Sequence, residues 1–171
     1  MRVENSIFGD CETKYLQSNG LKMAYQTFGK STDPAIILVA GLYNQMVRWP
    51  VEFCRLLEKR GFYVIRFDNR DIGLTDKMKG QKAPSIWRLA LKYYLGLPVA
   101  APYSLHDMAA DTLGVLDALD IKQAHIVGMS MGGMISQLVT ALYPERILSL
   151  TSIMSTSGER GKGIPSLKVS S

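Results

Sequence analysis

The sequence predicts an α/β fold: a mainly parallel sheet of about six strands, opened by an antiparallel hairpin and covered by helices on both faces. Three observations predict it. From residue 35 onward, short apolar runs alternate with amphipathic stretches of helical length, and parallel neighbours require such right-handed crossovers. The runs AIILVA, FYVIRF and AHIVG are almost continuously apolar, as strands buried on both faces are. Asn19-Gly20 separates two partly alternating runs, which is the chemistry of a two-residue hairpin turn.

The elements follow in order. Residues 12–18 and 21–29 form the hairpin, and Ala35 to Ala40 form the first buried strand, closed by Gly41. Between Val47 and Arg60 apolar residues recur at helical spacing, with Pro50 suited to a first turn and Gly61 to the position after the helix. Phe62 to Phe67 is the next strand, followed by the polar, glycine-containing loop DNRDIGLTDKMKGQKAP, which can shape a site. Residues 85–96 read as a short aromatic-rich helix. Ser104 with Asp107 three residues later resembles a capping box, opening a helix whose stripe includes Leu105, Met108, Leu113 and Leu116. Ala124 to Gly128 is a strand, Met131 to Leu142 a helix stopped before Pro144, and Ile147 to Met154 the sixth strand. The whole chain, 1–171, reads as one domain with its core over about 12–156 and an irregular tail over 157–171.

Composition narrows the function. A chain of 171 residues that is 47% hydrophobic can bury a core. The net charge of +5 is scattered along the chain, which argues against a nucleic-acid partner, as such proteins gather their charge on one face. No apolar run reaches the roughly 18 residues of a membrane span, and MRVENSIFGD lacks the apolar stretch of a leader. A soluble, cytoplasmic protein is expected. Cys11 and Cys54 have neither metal-ligand spacing nor a disulfide framework, so both read as free thiols, and no cofactor or metal is expected.

The residues that carry chemistry are Gly128-Met129-Ser130-Met131-Gly132, a G-x-S-x-G match lying between an apolar strand and an apolar helix. That setting makes a sharp strand-to-helix turn that lifts the Ser130 hydroxyl above the sheet, with Gly128 and Gly132 permitting close backbone packing. The competing reading, a dinucleotide-binding turn, lacks the G-x-G-x-x-G spacing.

From about Thr13 onward the chain resembles the α/β-hydrolase family. VAGLYNQ after the third strand is similar to the family's oxyanion loop, FDNRDIGLTDK after the fourth to its D-x-R-x-x-G-x-S segment, and HIVGMSMGG after the fifth to its nucleophile turn. The resemblance implies that Ser130 is the nucleophile and that the backbone N–H groups of Leu42 and Met131 hold the oxyanion. It implies hydrolysis of a small-molecule ester, lactone or thioester. A serine there argues against the epoxide hydrolases and haloalkane dehalogenases of the same fold, which use aspartate. Ala40 stands where many relatives have histidine, a change that leaves backbone donors untouched.

One departure matters. The family's triad continues with an acid and then a histidine, yet after Ser130 the chain has no Asp and no His, only Glu145 and Glu159. Of the upstream histidines, His125 begins the strand that ends near Ser130, so about five residues at roughly 3.3 Å each hold it on the order of 16 Å away. His106 opens the preceding helix on the side of the turn and is a candidate for a substitute base. The reading is therefore an amino-terminal portion of a serine hydrolase with an incomplete triad and little activity alone. The alternatives are a non-catalytic module binding an acyl ligand or a partner, and one half of a split enzyme. Ending at the sixth strand exposes an apolar edge, so self-association or a complementing chain is expected there.

Overall fold

The computed structural model describes residues 11–78, 95 and 102–157. The helix expected over 85–96 and the tail beyond residue 157 lie outside the described residues.

The hairpin forms as its turn chemistry dictates. β1 (Lys14–Ser18) and β2 (Leu21–Phe28) pair antiparallel with Ser18 opposite Leu21. Asn19 and Gly20 both have positive φ, 49° and 77°, the backbone that a type I′ turn requires. β3 (Ala35–Val39) and β4 (Tyr63–Phe67) are buried at every position. Together with β5 (Ala124–Met129) and β6 (Ile147–Ile153) they complete a six-stranded sheet of order β1-β2-β4-β3-β5-β6. Only the β1–β2 and β2–β4 pairs are antiparallel; β4, β3, β5 and β6 run parallel.

The alternation along β3 shows why its apolar run is unbroken. Ile37 and Val39 enter a core shared with Ile65, Phe67, Val115, Leu116 and Ile135, while Ile36 and Leu38 enter the opposite one with Phe28, Trp49, Cys54 and Val64. The first core lies under α2 (Leu105–Ala118) and α3 (Met131–Leu142), the second under α1 (Val51–Glu58). At α2 the capping box is complete: the Ser104 hydroxyl accepts from the Asp107 N–H and the Asp107 carboxylate from the Ser104 N–H. Burial in the second core pushes the Cys54 thiol up to about 11, which marks it as packing.

One expectation is corrected. The single helix read over 47–60 is two pieces, a 3₁₀ turn at Met46–Arg48 and α1 beginning after Pro50. Pro50 has no N–H to give and its ring keeps Trp49 extended, with φ −86° and ψ 101°. Gly61 closes the segment at φ 82° as expected.

β6 differs from the other parallel strands. Its five middle residues are exposed, with Leu148 at 49% and Leu150 at 37%. Among the described residues it is an edge with one neighbour, β5. Among the described residues no helix is long and apolar enough to cross a membrane.

Candidate active site

β3 lies between β4 and β5, so the chain leaves β3 in one direction to form β4 and returns past it to form β5. Parallel sheets open a crevice beyond the carboxyl ends of the strands where the order reverses in this way. The ends of β3 and β5 meet there, bringing Gly41-Leu42 beside Ser130.

Ser130 is the pivot between β5 and α3, with φ 55° and ψ −123°. That conformation is costly for a residue with a side chain, and four backbone-directed bonds hold it. Ser130 donates its N–H to Ile153 O at 2.9 Å, and its carbonyl accepts from Gly133 N at 2.9 Å, Met134 N at 3.3 Å and the Ser155 hydroxyl at 2.7 Å. The hydroxyl of Ser130 is exposed and has no hydrogen-bond partner among the described residues. The glycines allow the turn to close. A Cβ on Gly132 would collide with the carbonyl oxygens of Val39 and Ala40, and one on Gly128 with Gly132 O and the Ser136 hydroxyl. A Cβ on Gly41 would stand 3.2 Å from the Ser130 Cβ, which shows how closely the two loops approach.

Leu42 and Met131 line one cavity of about 170 Å³, together with Tyr43, Arg70, Asp71, Ile72, Tyr103 and Met108. Met131 opens α3, so its N–H belongs to the first turn, where no intrahelical acceptor exists.

The loop after β4 fixes this crevice through residues whose roles sequence reading missed. Asn69 donates its amide to Ala40 O at 3.0 Å and so pins the end of β3. Asp68 accepts from Met46 N and Leu74 N, and its carboxylate fills the space that a side chain on Gly73 would need. Thr75 bridges Asp68 O and Ala24 N. Arg70 forms a bidentate pair with Asp111 of α2, at 2.6 and 2.7 Å, with side chains 7% and 2% exposed. Its guanidinium also lies 5.1 Å from the Tyr103 ring centre. The D-x-R-x-x-G spacing is the sequence signal for this set, since it places a carboxylate, a cation and a positive-φ glycine in one turn.

The histidines separate as expected in one case and fall short in the other. His125 is bonded through Nδ1 to the Ser149 hydroxyl at 2.7 Å and packs edge-on against Phe62, at the amino end of β5. His106 is exposed on the first turn of α2, makes no hydrogen bond to Ser130 and does not line the cavity. Glu145 sits in the 3₁₀ turn before β6, at the opposite end of that strand from Ser155. Among the described residues no group of His, Cys, Asp and Glu could hold a metal ion.

Comparison with known proteins agrees with this geometry. The model of the alpha/beta hydrolase fold family matches residues 34–166. Rhodomycin D methylesterase DauP of Streptomyces sp. (strain C5) is 32% identical over 142 residues, 83% of this chain and 42% of that protein. 3-Oxoadipate enol-lactonase 2 of Acinetobacter baylyi is 27% identical over 131 residues, 77% of this chain and 40% of its own length. A hydrolase from Pseudomonas aeruginosa PA01 superposes with a TM-score of 0.64 at 26% identity, covering 86% of this chain and 47% of that structure. The chain thus spans about two fifths of the length of the relatives it matches.

Proposed function

Because the chain belongs to the alpha/beta hydrolase fold family, we propose that it carries the nucleophile half of a carboxylic-ester hydrolase, with Ser130 as nucleophile and the N–H groups of Leu42 and Met131 as oxyanion donors. The observation that carries this reading is the strained φ of 55° at Ser130, at the head of a helix and beside a cavity that Leu42 and Met131 both line. Strain of this kind persists where the surroundings impose it and is concentrated at functional sites. Each oxyanion donor contributes roughly 3–4 kcal/mol when aimed at the developing charge. A hydroxyl at the pivot suits acyl transfer, and the likeness to a methylesterase and an enol-lactonase, both acting on acyl–oxygen bonds by name, points the same way.

A hydroxyl needs a base within hydrogen-bond reach. Neither His106 nor His125 supplies one, and no Asp or His follows Ser130 in this sequence. Loss of triad members leaves a residual enhancement of roughly 10³–10⁴ in serine hydrolases, so this chain by itself turns over esters slowly. The exposed β6 favours a second reading, in which a complementing chain pairs along that strand and brings the acid and the base. A fluorophosphonate probe tests the nucleophile directly. The 171-residue chain is expected to label far more slowly than a complete serine hydrolase, with the residual label on Ser130 and absent in Ser130→Ala. Rapid labelling of the chain alone would overturn the missing base, and label elsewhere would overturn Ser130.

A further inference from the structure

The cavity lined by Leu42 and by Met131, the residue after Ser130, has two kinds of wall. Leu42, Ile72, Met108 and Met131 make an apolar one, and Arg70, Asp71 and Tyr103 make a polar one. The polar wall is already partly committed. Arg70 gives Nε and Nη2 to Asp111 and Nη2 also to Asp107 O, and it lies over the Tyr103 ring, so these two donor nitrogens are committed to α2. Asp71 is held by its own loop at φ 66°, with Oδ1 accepting from Met78 N at 2.6 Å and its N–H given to Asp76 O. Burial first, and then Asp71 beside it, push the Tyr103 phenol up to about 12, so its hydroxyl stays protonated near neutral pH. Two lining residues carry acceptor capacity, the second carboxylate oxygen of Asp71 and the lone pairs of the Tyr103 hydroxyl.

We infer that Asp71 and Tyr103 form a specificity point that selects esters carrying a hydroxyl group on the part of the molecule lying in this cavity. This rests on the reading of the same cavity as the acyl site. A neutral hydroxyl fits better than an ammonium group, because the Arg70 guanidinium already occupies the cationic position beside that wall. The hydroxyl-to-carboxylate bond is charge-assisted, and such bonds contribute enough to change affinity about tenfold.

Methyl benzoate and its ring-hydroxylated isomers provide the test, with binding to the full chain followed through the backbone amide signals of Leu42 and Met131 in nitrogen-15 NMR. At least one hydroxylated isomer is expected to bind about tenfold more tightly than methyl benzoate. That ratio is expected to collapse in Asp71→Asn, whose amide keeps an acceptor for Met78 N, and to fall in Tyr103→Phe; dispersion of the remaining signals reports that each variant is folded. Equal affinity for the plain and all hydroxylated esters, with both amides shifted, would overturn the specificity point and leave the acyl site standing. An unchanged ratio in Asp71→Asn would overturn it as well. Failure of every ester to shift Leu42 and Met131 would remove the cavity as an acyl site and the inference with it.

Discussion

A single missing Cβ decides how closely the Ser130 turn can sit on the sheet. Gly132 packs directly on the carbonyl oxygens of Val39 and Ala40, and backbone atoms in a buried strand have little room to give. Gly132→Ala is expected to cost about 3 kcal/mol, read as a lower urea midpoint with an unchanged slope. The Arg70–Asp111 pair makes a different test of one residue. Both side chains are buried, so Asp111→Ala strands a cation and is expected to cost about 3–5 kcal/mol, whereas replacing both partners by apolar residues costs less. The same urea series in the double variant checks the difference. Neither partner could be matched from the sequence, because 41 residues separate them and an isolated arginine or aspartate reads as a solvated charge. The Asn69 bond to Ala40, 29 residues away, was hidden for the same reason.

Elements whose signals are local were legible. Asn19-Gly20 specified its turn, Ser104 and Asp107 specified the start of α2, and the bounds of α3 follow from Ser130 before it and Pro144 after it. The segment around Pro50 was not, because proline at the first turn of a helix and proline just before one look alike in sequence. The ψ of 146° at Pro50 itself distinguishes them, since a proline inside the first turn would have a helical ψ. Ser104→Ala is expected to lower stability by about 1 kcal/mol, measured by thermal unfolding near neutral pH. The cap is also sensitive to acid. Hydrogen bonds from the Ser104 backbone and hydroxyl hold the Asp107 carboxyl below its ordinary value. Its stabilising effect is therefore fully present above the unfolded carboxylate pKa of about 3.9 and is lost as pH falls through the lower folded one. An Asp107→Asn variant should show a smaller loss of stability over that acid range than the unaltered chain.

For the molecule as a whole, the sheet among the described residues is well covered from β2 to β5 and more open at β6, where Leu148 and Leu150 stand exposed. Apolar edges of this kind pair with other chains. Sedimentation velocity is expected to show concentration-dependent association, and replacing Leu148 and Leu150 by lysine is expected to abolish it; a monomer at every concentration would show that the edge is protected. The chain order of strands and helices, the burial of β3 on both faces and the open edge at the sixth strand were legible in the apolar runs, while the order of the strands across the sheet had to be seen in three dimensions. That strand and the residues just after it are also where Ser130 is anchored, through the carbonyl of Ile153 and the hydroxyl of Ser155. The Ser130 turn is thereby tied to the open edge of the sheet, so any change in the position of β6 is transmitted to the backbone that holds the strained serine.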